Sequence, residues 1–238
     1  MANPYFKFKQ FTVWHDRCAM KVGTDGVLLG AWCGIDKGER VLDVGTGTGL
    51  IALMLAQRAA DARIDAIEID TDAAMQAIEN VAQSPWGERI SVINSDFLDY
   101  AKVSLNRYNR IVSNPPYFEK SLLPEDEART RARHTDMLSY ATLLASAVDI
   151  LLPAGKISLI FPADLYAHVS AIAGRQGLHL HRIMWVSGRV GTPPKRVMVE
   201  WGLSPIEKAI EEYMAVESAP LQLTPEYISL TKDFYLKL

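Results

Sequence analysis

The sequence lacks the features that would cross-link the chain, place it in a membrane or export it. Its 238 residues include only Cys18 and Cys33, too few for a disulfide framework and too far apart for a metal knuckle. No apolar stretch approaches the length of a membrane span. Residues 1–10 carry no apolar run of the kind that signal peptides need. We therefore expect a cytoplasmic protein with reduced thiols and no membrane partner.

An excess of positive charge is also missing. Lys and Arg together number 25 against 28 Asp and Glu, so the net charge is −3. This balance argues against a protein that covers itself in phosphate contacts, but it allows a local basic surface. The five histidines are scattered without partners at ligand spacing, so we expect no metal. Hydrophobic residues make up 49% of the chain, enough for the core of one large domain.

From residue 40 onward, short apolar runs alternate with helical periods. Such alternation predicts an α/β fold, a Rossmann-like sheet of seven mostly parallel strands with helices on both faces. Residues 1–36 are predicted to form a short strand and helix extension that completes a cofactor pocket, and residues 37–238 the main domain. Residues 205–217 look helical. The predicted strands are 40–44, 63–69, 89–94, 108–113 and 156–161, followed by a final antiparallel hairpin at 178–186 and 197–203.

A glycine-rich segment from Asp43 to Gly49 follows the first predicted strand and opens a helix. Its glycines, Gly45, Gly47 and Gly49, let the chain turn tightly and let a ligand approach the backbone. The spacing departs from the dinucleotide fingerprint, because the third glycine comes one position early. Asp43 would oppose a pyrophosphate but could attract a cationic ligand. The segment predicts a cofactor site, with a plain strand-to-helix turn as the alternative.

Acidic residues end the next two predicted strands. Glu68 can accept hydrogen bonds from both hydroxyls of a ribose, although Asp70 could do this instead or cap the following helix. Asp96 sits where a carboxylate could accept from an adenine amino group, or it caps the short segment at Phe97. Residues 24–32 read as a short helix capped by Thr24 or Asp25. Both residues are predicted to border the cofactor, with a helix cap alone as the alternative.

The most specific segment is Asn114-Pro115-Pro116-Tyr117, at the end of the fourth predicted strand. The adjacent prolines fix φ twice, remove two amide N–H groups and push Asn114 into an extended conformation. The Asn114 side-chain oxygen and a nearby carbonyl can then face outward beside the Tyr117 ring. Two acceptors beside a ring suit an exocyclic NH₂ on a planar group, because they hold both hydrogens and leave the nitrogen lone pair free.

Taken in order, these segments resemble the successive motifs of class I S-adenosylmethionine-dependent methyltransferases, over roughly residues 22–165. The resemblance implies S-adenosylmethionine as the ligand, with its ribose on Glu68, its adenine on Asp96 and its methionyl portion on the glycine loop. The Asn-Pro-Pro-Tyr segment resembles that of amino-methyltransferases acting on adenine N6, cytosine N4 or a glutamine side-chain amide. Related Asn-Pro-Pro-Phe sequences occur in guanine N2 enzymes.

Segments towards the two ends of the chain narrow the resemblance to one family of amino-methyltransferases. Residues 6–11, 20–32 and 193–200 look like the bacterial tRNA1(Val) adenine N6-methyltransferase family, which modifies the adenosine immediately 3′ of the anticodon. This implies methyl transfer to adenosine 37 of a valine tRNA by a monomer that binds an anticodon loop and no DNA. The alternatives are a ribosomal RNA base or a translation-factor glutamine as acceptor, or a non-catalytic binding protein. The tail beyond Leu221 matches no pattern that we can place.

Basic residues follow both proline pairs, and we expect them to contact RNA phosphates. An ordinary solvated face is the alternative for each. Tyr117 is expected to stack on the target base, and no dedicated general base is visible. The candidate phosphate contacts are Arg129, Arg131, Arg133, Lys195 and Arg196.

Overall fold

A computed structural model describes residues 3–18, 20–115 and 138–237 of the chain. Five of the sequence-predicted site residues lie outside the described residues, so the structure does not test the roles predicted for them. They are Pro116, Tyr117, Arg129, Arg131 and Arg133.

Over the described residues the sheet has nine strands, where the sequence predicted seven. Its order is β11-β10-β8-β9-β7-β6-β3-β4-β5, and a separate antiparallel hairpin, β1–β2, precedes it. The strands are β1 (Tyr5–Lys7), β2 (Thr12–Trp14), β3 (Arg40–Val44), β4 (Arg63–Glu68), β5 (Ile90–Asn94), β6 (Tyr108–Ser113), β7 (Leu151–Pro162), β8 (His179–Arg189), β9 (Pro194–Gly202), β10 (Ile210–Ala219) and β11 (Gln222–Leu223).

The pairing confirms a mostly parallel sheet with an antiparallel pair. Strands β5, β4, β3, β6 and β7 pair in parallel, and β9 runs antiparallel between β7 and β8. Chain order changes direction between β3 and β6, so the crevice beyond their carboxyl ends is the expected ligand site. The two additional strands lie at the far edge of the sheet, where β10 pairs in parallel with β8 and β11 pairs with β10.

The helical prediction for residues 205–217 is wrong, because Ile210–Ala219 forms β10. Its backbone pairs with β8 from Ile210 opposite Arg182 to Glu217 opposite Arg189. The apolar side chains have a helical spacing, yet Ile210 and Tyr213 are 60% and 69% exposed and do not form a buried face. Hydrogen bonding to an open sheet edge has overridden the local pattern.

Two apolar cores cover opposite faces of the sheet and confirm that helices lie on both sides. In β3, Val41 belongs to one core and its neighbour Leu42 to the other, as the alternation of side chains along a strand requires. Helices α1 and α2 pack in the first core, and α5 and α6 in the second. The helices are α1 (Thr24–Trp32), α2 (Leu50–Arg58), α3 (Thr71–Ala82), α4 (Phe97–Val103), α5 (Tyr140–Ile150), α6 (Tyr166–Arg175) and α7 (Pro225–Thr231).

The sequence suggested Thr24 or Asp25 as the cap of helix α1. The helix instead starts after Gly23, so neither residue is its cap. Gly23 holds the extended N-cap conformation, and no side chain caps the helix. Both predicted residues are inside the first turn, and the Asp25 carboxylate makes a contact described below. Glycines bring α1 close to α2, since a Cβ on Gly30 would lie 2.8 Å from the Met54 sulfur.

The tail that the sequence left unplaced ties the two chain ends together. Thr224 caps α7, because its Oγ1 accepts the Tyr227 N–H at 3.2 Å. The Lys9 N–H donates to the Phe234 carbonyl at 2.8 Å, and Phe8 forms an isolated bridge with Tyr235. The C-terminal segment therefore supports the N-terminal hairpin. No helix in the described part of the chain combines the length and apolar character needed to span a bilayer.

Candidate active site

A cavity of about 310 Å³ opens at the carboxyl edge of the parallel strands. Its described lining consists of residues 20–26, 45–48, 50–51 and Asn114. One wall is the segment that leads into α1, and the opposite wall is the glycine loop between β3 and α2. The volume lies at the lower end of the range for small-molecule sites, about 300–1,000 Å³.

The glycine loop exposes bare backbone to this cavity. Gly45, Gly47 and Gly49 all have positive φ, at +70°, +55° and +82°. A Cβ on Gly45 or Gly47 would meet nothing within 4 Å, whereas one on Gly49 would lie 3.5 Å from the Ala77 Cβ. The first two glycines therefore leave space in which a ligand can approach the main chain, and the third packs against α3.

Asp43 lies fully buried beneath the loop. Its Oδ2 accepts from the Thr46 hydroxyl at 2.6 Å and from the Ala52 N–H at 3.1 Å. Its Oδ1 is buried without a hydrogen-bond partner among the described residues. Loss of hydration on burial raises the pKa of this carboxyl to about 7. A buried carboxylate with an unused oxygen suits a ligand that brings a positive charge.

Glu68 contacts the backbone of the glycine loop. Its Oε2 accepts from the Gly47 N–H at 2.8 Å, and its Oε1 accepts from the Asp70 N–H at 3.0 Å. A carboxylate has about four acceptor positions, so capacity remains for hydroxyl donors. Asp70 caps α3 by accepting from the Ala73 N–H at 2.8 Å, which confirms the capping alternative for that residue.

Asp96 is the N-cap of α4, and its Oδ1 accepts the Asp99 N–H at 3.0 Å. The capping alternative is therefore observed, while the second carboxylate oxygen keeps acceptor capacity for a ligand. Asp96 follows β5, the neighbour of β4, so it lies at the same edge as Glu68. Asp43, Gly49, Glu68 and Asp96 are not among the described residues that line the cavity itself.

Asn114 lines the cavity directly after β6, and Pro115 behind it is buried. The neighbouring Ser113 hydroxyl donates to the Val44 carbonyl at 2.7 Å and joins the ends of β6 and β3. This contact places the start of the Asn-Pro-Pro-Tyr segment beside the glycine loop. The two motifs that the sequence separates by more than 60 residues therefore border one space.

Asp25, which was predicted to border the cofactor, forms an ion pair with Arg196, which was predicted to contact RNA. The Arg196 Nε donates to the Asp25 Oδ2 at 2.8 Å, and joins the start of β9 to the cavity wall. Lys195 is exposed next to it, and its carbonyl accepts from Arg196 Nη1 at 3.1 Å. Because β9 begins where β7 ends, both cations lie at the same edge of the sheet as the cavity.

Of the predicted cofactor residues, Thr24, Asp25, Gly45, Gly47 and Asn114 line the cavity. The sequence reasoning did not assign a role to several other lining residues, most of which lie within the recognised segments at 20–32 and 43–49. It also missed Asn80 of α3, although a buried asparagine within a helix is a signal that can be searched for. The missed lining residues are Met20, Lys21, Val22, Gly23, Gly26, Thr46, Thr48, Leu50 and Ile51.

Within residues 3–18, 20–115 and 138–237, no group of three or more His, Cys, Asp and Glu side chains is arranged to hold a metal ion.

Comparison with known proteins gives one consistent family. The model of the methyltransferase small domain matches residues 27–170. A Bacteroides fragilis protein named tRNA1(Val) (adenine(37)-N6)-methyltransferase is 49% identical over 239 residues, which cover 100% of both chains. A Serratia proteamaculans protein of the same name is 47% identical and covers 97% of this chain and 89% of its own.

Solved structures agree on the fold. A protein from Agrobacterium tumefaciens, described as a predicted O-methyltransferase, superposes with a TM-score of 0.64 at 22% identity. The superposition covers 88% of this chain and 96% of the other.

Proposed function

Because the chain belongs to the tRNA1(Val) (adenine(37)-N6)-methyltransferase family of methyltransferase small-domain proteins, we propose that it methylates N6 of adenosine 37 in a valine tRNA. S-adenosylmethionine is its cofactor and methyl donor. The observation that carries this proposal is the position of Asn114, which lines the same cavity as the glycine loop. An acceptor for an amino group thus borders the space that suits the donor.

The residues present fit this cofactor. Gly45 and Gly47 leave the cradle that a Cβ would fill, and the unused Asp43 oxygen suits a cation such as an ammonium or sulfonium group. We assign Glu68 to the ribose hydroxyls and Asp96 to the adenine amino group. Thr24 and Asp25 form part of the opposite wall. When bound, S-adenosylmethionine supplies an electrophilic methyl group on a positively charged sulfur.

The chain's own contribution is to hold the acceptor nitrogen. Adenine N6 is a weak nucleophile because its lone pair is delocalised into the ring. In this proposal the Asn114 Oδ1 and the Pro115 carbonyl accept its two hydrogens and favour a tetrahedral nitrogen. After methyl transfer one of the N6 protons leaves to solvent, so no dedicated base is required. Pro116 fixes the backbone, and Tyr117 stacks on the base, a contact worth about 1–3 kcal/mol.

The tRNA contacts are proposed from position and charge. Lys195 is exposed beside the cavity edge, and Arg196 pairs there with Asp25. Arg129, Arg131 and Arg133 follow Tyr117 in the sequence and complete the proposed phosphate contacts. An anticodon loop suits such a site, because loop bases leave their stack at a lower cost than duplex bases.

In this proposal the enzyme acts as a monomer. In this proposal residues 1–36 complete the pocket of the domain at 37–238, and the enzyme works in the cytoplasm on tRNA and not on DNA.

Methyl transfer to total tRNA lacking the modification tests the proposal. Labelled S-adenosylmethionine and nucleoside analysis should reveal label in N6-methyladenosine of one valine tRNA. Absence of label in tRNA, with the cofactor still bound, would refute the proposal that tRNA is the methyl acceptor. Ribosomal RNA and translation-factor glutamines would then be tested as substrates.

A further inference from the structure

One side chain joins the two walls of the cofactor cavity. Asn80, on α3, is 1% exposed. Its Oδ1 accepts from the Trp14 N–H at 2.9 Å, and its Nδ2 donates to the Trp14 carbonyl at 2.9 Å. The same Nδ2 donates to the Thr48 carbonyl in the glycine loop, also at 2.9 Å. A single buried carboxamide thus holds the backbone of the N-terminal segment and that of the loop.

The contacts with Trp14 extend to the cavity wall. The next residue, His15, is buried, and its Nδ1 accepts from the Val22 N–H at 3.4 Å. Val22 lines the cavity. The wall is therefore connected to Asn80 through two consecutive residues of the extension.

Two other α3 side chains form described hydrogen bonds to the extension and none to the loop. Gln76 is 2% exposed, and its Oε1 accepts from the Arg17 N–H at 3.2 Å. Glu79 forms two hydrogen bonds with the Arg17 guanidinium, both at 2.9 Å. Gln76, Glu79 and Asn80 share one helix face because they are three and four residues apart. Of these three, Asn80 alone has a described hydrogen bond to the glycine loop.

From this geometry we propose that Asn80 is a positioning residue that sets the separation of the two cavity walls and thereby the affinity for S-adenosylmethionine. The inference rests on the proposed function for the identity of the ligand. Removing the carboxamide leaves the part-buried Trp14 carbonyl and the buried Thr48 carbonyl without this donor, and such groups tend to move towards another partner. The walls would then move apart, although no residue that touches the ligand has changed.

Equilibrium binding of S-adenosylhomocysteine, measured without tRNA, tests the proposal. Asn80→Ala should weaken binding about tenfold or more, which corresponds to about 1.4 kcal/mol. Gln76→Ala, the matched control, loses a buried carboxamide of the same helix that holds only the extension, and should change binding by less than about threefold. In the tRNA assay, Asn80→Ala should raise the KM for S-adenosylmethionine, with kcat at saturation within about threefold of wild type.

Asn80→Ser provides a second measurement if the alanine variant does not fold, because its hydroxyl can donate to one of the two carbonyls. The Asn80→Ser variant should bind S-adenosylhomocysteine with a dissociation constant between that of the wild-type protein and that expected for Asn80→Ala. Equal dissociation constants for wild type and the Asn80 variants, or equal weakening by Gln76→Ala, would overturn the inference. Failure of the wild-type protein itself to bind S-adenosylhomocysteine would instead overturn the proposed function.

Discussion

Replacing the buried Asp43 by asparagine should change how the stability of the ligand-free protein depends on pH. The carboxyl is fully buried, and burial raises its pKa to about 7 from an ordinary value of 3.8. The native protein therefore holds this proton across a range in which the unfolded chain has released it. For a raised carboxyl pKa, the free energy of unfolding falls as pH rises between these two values and is level above the higher one.

The size of the effect follows from the shift. Each pKa unit corresponds to about 1.36 kcal/mol, so the full shift sets an upper bound of about 4 kcal/mol. Between about pH 5 and pH 7 the wild-type protein should lose about 2–3 kcal/mol through this group. Asparagine does not titrate, but it keeps an oxygen that can accept from Thr46 and Ala52. The stability of Asp43→Asn relative to wild type should therefore grow by that amount over this interval.

Urea unfolding of both proteins at several pH values between about 5 and 8.5 measures this difference. Because both proteins are compared at each pH, contributions from the other titrating groups largely cancel. A stability difference that stays constant across the whole interval would show that Asp43 titrates at its ordinary pKa. The argument that the buried Asp43 carboxyl suits a cationic ligand would then be wrong.

Four further substitutions separate packing, chemistry and RNA binding. Gly30→Ala should lower the free energy of unfolding by about 1–3 kcal/mol, because its Cβ would lie 2.8 Å from the Met54 sulfur. Gly174→Ala, with nothing within 4 Å of the new Cβ, should raise it by about 0.4–1 kcal/mol; a loss from both in urea unfolding would contradict this reasoning. Asn114→Ala should lower kcat by about 100-fold or more while tRNA still binds in a filter assay, and near-normal turnover would remove Asn114 from the chemistry. Lys195→Glu should raise the KM for tRNA and reduce its salt dependence without changing the KM for S-adenosylmethionine, so an unchanged tRNA KM would exclude this lysine from the interface.

Much of the site was predictable because parallel strands place their carboxyl ends together. Glu68 ends a strand, the glycine loop, Asp96 and Asn114 each follow one, and the sheet brings them to one edge. Their grouping required only the alternation of strands and helices, which the apolar pattern shows. Gly45 and Gly47 can adopt their positive φ values because they lack a Cβ.

The features that the sequence did not reveal depend on contacts between distant residues. The spacing of apolar residues in 205–217 fits a helix, and only the free edge of β8 makes it a strand. The pair formed by Asp25 and Arg196 joins residues that lie far apart in the chain. Asn80 looked like an ordinary helical residue, because its partners belong to β2 and the glycine loop. Pairing and side-chain networks of this kind are set by the assembled fold.

The most direct test of the central claim compares two transcripts of a valine tRNA that differ only at position 37. With labelled S-adenosylmethionine, the transcript with adenosine 37 should accept about one methyl group, found as N6-methyladenosine. The transcript with guanosine at that position should accept none. Equal labelling of both transcripts, or label in any other nucleoside, would contradict the account of an N6-specific pocket at Asn114.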